Sequence, residues 1–118
     1  MEYLTREQLQ EKLQDWKTYK EYVNECAQNA IDIGKHLIEF NKAILLLTKY
    51  GFEFEQSKID EIKEKLNTES QEAEMYLCTA RSVYKEFQDN CDHNYVLSWW
   101  DSHHDYYECT KCGQEIKN

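Results

Sequence analysis

The sequence predicts a mainly α protein: a long antiparallel, coiled-coil-like helical hairpin carrying a small β-hairpin module at its C-terminal end. Three observations predict it. The 118 residues contain no proline and only three glycines, Gly34, Gly51 and Gly113, so long helices are permitted and turn-rich all-β folds are disfavoured. Apolar residues recur every seventh position along two stretches. Aromatic and β-branched residues then collect near the C-terminus, between pairs of cysteine and histidine. The length suits one elongated helical unit with an appendage, residues 1–90 and 91–118, and leaves a second independent domain unexpected.

Thr5-Arg-Glu-Gln8 matches a capping box, so a first helix is expected over about 6–50. Its repeat runs through Leu9, Trp16, Val23, Ala30, Leu37 and Ile44, with a companion row at Lys12, Tyr19, Cys26, Ile33, Phe40 and Leu47. Only Lys12 breaks it. A strict repeat of seven implies coiled-coil packing against a neighbour. Ile31, Ile38 and Leu45 widen the stripe, so residues 30–48 are expected to meet more than one partner helix. Gly34 marks a close approach or a kink.

Lys49 and Gly51 read as a helix end. Ser57-Lys-Ile-Asp60 reads as the next N-cap, with a second helix over about 58–89. Its rows are Ile59, Leu66, Ala73, Ala80 and Phe87, and Ile62, Glu69, Tyr76, Val83 and Asn90, supported by Leu77 and Tyr84. The short connection makes the pair antiparallel. Folding about residue 53 or 54 then lays Trp16 and Tyr19 beside the cysteine-rich tail. Cys26 and Cys78 fall inside helices and are expected to be small core residues.

Residues 95–100 and 106–109 read as two strands of a hairpin across a polar turn. At its ends stand Cys91-Asp-His93 and Cys109-Thr-Lys-Cys112-Gly113. Cys-x2-Cys-Gly is the shape of a zinc knuckle, in which a tight turn aims two thiolates at one point and glycine accepts the unusual backbone angle. Cys91, His93, Cys109 and Cys112 are expected to bind one structural Zn2+; four donors complete a tetrahedral shell and leave no open position for catalysis. A disulfide between two of them, or plain buried thiols, is the competing reading, and His103 or His104 is an alternative to His93.

These residues resemble the Cys-x-His…Cys-x2-Cys-Gly tails, of zinc-ribbon type, in small uncharacterised proteins of bacteria and their phages. The resemblance covers the last quarter of the chain and implies a zinc-stabilised module. The helical hairpin carries no such likeness.

No stretch approaches the ~18 apolar residues of a membrane span, and the N-terminal segment lacks the basic cap and apolar run of a signal peptide. A cytoplasmic protein of a bacterial cell is expected, and five cysteines there point to metal rather than disulfides. The formal charge is −9, from 23 acidic and 14 basic side chains. Residues 51–75 alone carry eight acids against three bases. Such a surface repels the phosphate backbone and disfavours direct nucleic-acid binding.

His103, His104, Asp105 and Glu108 contain the residue types of an open metal centre, but adjacent polar residues on a turn are more often solvated, and no enzymatic activity is expected. Trp99, Trp100, Tyr106 and Tyr107 could stack bases, yet residues 91–118 hold five acids and two lysines, so the basic groove is missing. The favoured reading is a non-enzymatic acidic protein-interaction module. Its partner surface comprises Glu53, Glu55, Asp60, Glu61, Glu64 and Glu72 together with Trp99 and Trp100, and its partner is a basic or nucleic-acid-handling protein. The Lys, Glu, Asn and Tyr bias resembles phage or mobile-element products, including anti-CRISPR inhibitors, which implies blockade of a host nucleic-acid-handling protein. The alternatives are a homodimeric four-helix assembly protein and a zinc-module nucleic-acid binder.

Overall fold

The computed structural model describes residues 2–118. It is mainly helical, with a small C-terminal antiparallel sheet. The elements in order are α1 (Arg6–Lys12), α2 (Trp16–Lys49), α3 (Gln56–Asp89), β1 (Tyr95–Trp100), β2 (Asp105–Cys109) and β3 (Glu115–Lys117). Two compact units share the long helices: residues 24–78 form one, and residues 2–23 with 79–118 form the other.

The second unit begins with the expected capping box. The Thr5 hydroxyl accepts from the Gln8 amide at 3.2 Å, and the Gln8 side chain accepts from the Thr5 amide at 2.9 Å. The single helix expected over 6–50 is instead two. Asp15 restarts the chain as α2: its carboxylate accepts from the Thr18 amide at 3.3 Å and from the Thr18 hydroxyl at 2.6 Å, satisfying donors that a continuous helix would have used. These bonds to Thr18 hold the Asp15 carboxyl below its usual range. Lys12, the one residue that breaks the heptad pattern, is the last of α1.

The break matters for packing. Leu9 and Leu13 of the N-terminal segment share a buried cluster with Tyr19, Ala80 and Val83, flanked by Leu4, Tyr22, Val23, Tyr84 and Phe87. The buried Tyr19 hydroxyl donates to the Ala80 carbonyl at 2.7 Å, and its ring stacks on Tyr84 at 5.5 Å. Arg6 reaches both carboxylate oxygens of Glu86 at 2.8 Å, a half-exposed pair worth at most about 1 kcal/mol. Asp15→Ala is expected to lower the melting temperature. Because the folded-state pKa of Asp15 is depressed, the contribution of its charge is present above the ordinary value of 3.8 and fades as pH falls through and below it. Thermal melts of both proteins at neutral and acid pH check this: the gap between them narrows in acid.

In the first unit, α2 ends in a Schellman turn. The Gly51 amide donates to the Thr48 carbonyl and the Phe52 amide to the Leu47 carbonyl, both at 3.1 Å, with Gly51 at φ 87°, a conformation open to glycine at little cost. α3 starts two residues earlier than expected, at Gln56. The Lys58 and Ile59 amides donate to the Glu55 carbonyl, so Glu55 rather than Ser57 caps it, and the Ser57 hydroxyl turns back to the Glu55 side chain at 3.4 Å.

The buried residues of this unit are Cys26, Ile59, Ala73 and Leu77. Ala30, Ile33, Leu37, Phe40 and Ile44 are half-buried, as the rows require. Ile31, Ile38 and Leu45, expected against a further helix, are instead exposed within the chain. Cys78 is also exposed rather than a core residue, whereas Cys26 is fully buried.

Candidate metal centre

The sheet has the order β1-β2-β3, antiparallel throughout. Its third strand extends the predicted hairpin: past the knuckle the chain turns back, pairing Ile116 with Tyr107 and Glu115 with Glu108. Tyr95 pairs with Cys109, so the open end of the β1–β2 ladder, opposite its turn, brings the two ligand segments side by side.

Cys91 follows α3, and its amide donates to the Gln88 carbonyl at 3.2 Å. His93 stands between it and β1, its ring stacked on Tyr95 at 5.1 Å. Cys109 closes β2, and Cys112 sits in the turn beyond. Gly113, at φ 75°, returns its amide to the Cys109 carbonyl at 2.9 Å, which is how the Cys-x2-Cys-Gly spacing converges two sulfurs.

One donor atom from each of Cys91, His93, Cys109 and Cys112 lies within 4.8 Å of the others, a group that could hold a metal ion. Cys91 Sγ and Cys109 Sγ are 3.9 Å apart, and Cys112 Sγ is 3.4 Å from His93 Nδ1. A disulfide needs ~2.05 Å, whereas sulfurs bound at ~2.3 Å to one tetrahedral ion stand about 3.8 Å apart. The spacing fits edges of a coordination tetrahedron, and all five cysteines are free thiols. His103 and His104 lie elsewhere, in the β1–β2 turn, where their amides donate to the Asp101 carboxylate at 2.8 and 2.7 Å. The structure does not gather them with Asp105 and Glu108 into a second metal-binding group among the described residues.

The electrostatics prepare the cluster for a cation. Burial opposes ionisation of Cys109, but the amides of Asn94, Lys111 and Cys112 and the His93 ring stabilise its thiolate and bring it down to about 5. The Asn94 and Lys111 amides both stand 3.4 Å from the sulfur. Cys91 is pushed the other way, to about 12, by desolvation and the adjoining Cys112 and Cys109 sulfurs. Crowded thiols share the negative charge unevenly until a cation neutralises them.

Outer contacts lock the knuckle. Tyr84, raised to about 12 by burial and the nearby Cys112, keeps its proton and donates to the Cys112 carbonyl at 2.5 Å. Trp16 Nε1 donates to the Thr110 carbonyl at 3.1 Å. A Cβ on Gly113 would stand 2.5 Å from the Trp16 ring. The heptad position of Trp16 gave no sign of this role; what placed it near the tail was the antiparallel fold-back.

The residues expected to meet a partner are all exposed. Glu53, Glu55, Asp60, Glu61, Glu64 and Glu72 belong to the first unit. Glu55 pairs with Lys58 at 3.6 Å and Asp60 accepts from Gln56. Trp99 and Trp100 belong to the second. The register shifts at Ser98, whose hydroxyl donates to the Tyr106 carbonyl, so Trp99 pairs with Tyr106 and Trp100 with Asp105. The Trp99 and Tyr106 rings stack face to face at 3.9 Å, while Trp100 is 71% exposed.

Compared with protein-family models, curated proteins and solved structures, the chain finds no match in any of the three. Among the described residues no helix is long and apolar enough to cross a membrane.

Proposed function

We propose that the protein is a non-enzymatic, zinc-stabilised acidic interaction module that binds and blocks a basic, nucleic-acid-handling bacterial protein. The observation that carries this reading is the exposed row of carboxylates along the start of α3. Glu61, Glu64 and Glu72 are exposed, and their carboxylates have no ion-pair or hydrogen-bond partner among the described residues. Unneutralised charge of one sign steers a complementary partner and sets its register.

Zinc is the ion that suits three thiols and one imidazole in a tetrahedral cluster. With four protein donors it would hold the sheet in shape rather than activate water. The sheet then presents Leu97, Trp99 and Trp100 to solvent, the kind of apolar surface enriched at the centre of protein interfaces. Protein is favoured over nucleic acid as the partner because residues 91–118 carry five acids against two lysines, so the exposed aromatic side chains lack the basic groove that would hold a phosphate backbone. A phage-encoded inhibitor of the anti-CRISPR type is the sharpest form of the proposal, a cytoplasmic role its natural setting.

The test is an affinity pull-down from bacterial lysate, with and without nuclease, using the parent and the variant carrying Glu61→Lys, Glu64→Lys and Glu72→Lys. A protein captured by the parent, resistant to nuclease, released by salt and lost with the charge-reversed variant is the expected result. Equal capture by the variant overturns the acidic reading; recovery of nucleic acid alone overturns the protein partner.

A further inference from the structure

We propose that the outer face of α2 is a self-complementary seat for a second copy of this chain, so that two copies pack α2 against α2 about a two-fold axis near Gly34 and Ile38. The face is built on a heptad. Ile31, Ile38 and Leu45 follow one another at intervals of seven, with Gly34 and Asn41 at the intervening positions of the same seam, which is the spacing of helix-on-helix packing rather than of a solvated surface.

Four observations in the first unit converge on it. Ile31, Ile38 and Leu45 are 52%, 55% and 72% exposed, although a solvated helix face has no use for a regular aliphatic row. Gly34 lies in mid-helix, where glycine costs about 1 kcal/mol relative to alanine. Nothing within 4 Å occupies the space where its Cβ would stand. Within one chain that cost has no return; a second helix crossing closely at this point supplies one.

Asn41 gives the third observation: its Oδ1 is buried and unpartnered among the described residues. A polar residue in such a seam fixes the register of a helix pair, and rotating the amide out of its own chain toward the second copy's Asn41 would give each the partner it lacks. The fourth is the rim. Asp32, Lys35, Glu39 and Lys42 alternate in sign and sum to zero, so the face does not repel itself as the acidic α3 face would. A two-fold contact lets one patch satisfy a copy of itself.

The stability of the unit points the same way. A helical hairpin whose buried side chains are Cys26, Ile59, Ala73 and Leu77 has little core of its own, and small helical folds of that kind are completed by association. This inference stands apart from the proposed partner surface, which lies on the α2–α3 connection, α3 and β1, and a failure of one leaves the other in place.

The experiment is analytical ultracentrifugation of the metal-loaded full chain at micromolar concentration, alongside Ile38→Glu and Gly34→Leu. The parent is expected to sediment at twice 14.3 kDa. Both variants are expected to sediment as single chains with unchanged metal content and helical circular dichroism, Gly34→Leu because its side chain fills the crossing point. Hydrogen exchange of the unmodified chain on dilution gives a reading free of any variant: protection over 31–45 falls as the dimer dissociates. A single-chain mass for the parent overturns the proposal. So does a dimer that survives both substitutions, or one whose dilution exposes the sheet and leaves 31–45 unchanged.

Discussion

Cys112→Ser is expected to abolish stoichiometric metal binding and melt the C-terminal sheet while leaving most of the helix in place. The physical basis is that the strands bury little apolar surface of their own, the outer contacts of Trp16 and Tyr84 reaching only the knuckle. Val96, Leu97, Trp99, Trp100 and Ile116 are exposed, and a three-stranded sheet with that much of its surface in water is marginal without an added constraint. Zinc bound by the four donors would supply it, since the apparent free energy of binding a structural zinc, about 10–16 kcal/mol in small modules, is folding free energy when no site exists in the unfolded chain. A serine keeps the shape of the side chain, slightly smaller, but not the thiolate's affinity for the ion. Near-ultraviolet circular dichroism, metal content and amide exchange over 95–100 and 105–109 give the readout. A strong chelator is expected to reproduce the effect on the parent, with recovery on adding zinc. A sheet that keeps its protection in the variant, or under chelation, would sink the assignment of the metal as its main constraint.

The second large effect is expected at Gly113. Gly113→Ala forces a side chain into the left-handed region, at roughly 1–2 kcal/mol, and also drives a methyl to 2.5 Å from the Trp16 ring and 2.9 Å from the Tyr84 hydroxyl. Overpacking of this kind costs roughly 1–3 kcal/mol more. The loss therefore falls at about 2–5 kcal/mol. Gly51 separates the two terms, because it has φ +87° but nothing within 4 Å of its Cβ position. Gly51→Ala should incur the backbone cost alone. Denaturant unfolding of the two variants measures the difference, and Trp16→Leu combined with Gly113→Ala should recover part of it. Equal losses at the two glycines would mean that Trp16 yields without cost and that the close approach contributes nothing.

Much of this architecture was legible in the residues. Heptad rows give helices and their faces directly, because burial on one side of a 3.6-residue turn demands that spacing. The donor set was legible because cysteine and histidine at x-1 and x-2 spacing, ahead of glycine, answer to a geometric need rather than to packing. What was not legible had competing local signals. The break before α2 was hidden by an apolar row that runs straight through it. Asp15-Trp-Lys-Thr18, a capping pattern inside that row, was the available sign. The third strand, Glu115-Ile-Lys, is too short and too charged to announce itself, and forms because the knuckle aims it at β2. Trp99 and Trp100 are placed by a register shift at Ser98 that side-chain alternation alone does not disclose. Nor does a heptad reveal which of its apolar rows meets a helix of its own chain, and so Ile31, Ile38 and Leu45 read the same as their buried neighbours.

The unit that carries the Cys/His cluster is assembled from residues 2–23 and 79–118, and this orders the events of folding during synthesis. The N-terminal segment leaves the ribosome with its apolar side chains, Leu9, Leu13 and Tyr19, and has no partner until Ala80, Val83 and Tyr84 have followed. Contacts of such separation fold late, since the intervening chain must be closed first. The hairpin of residues 24–78 can zip from its connection and shorten that closure, bringing the two ends together before Cys109 and Cys112 arrive. Capture of a metal by the cluster would come last, and a nascent chain stalled before Ala80 would expose its N-terminal leucines to chaperones and proteases.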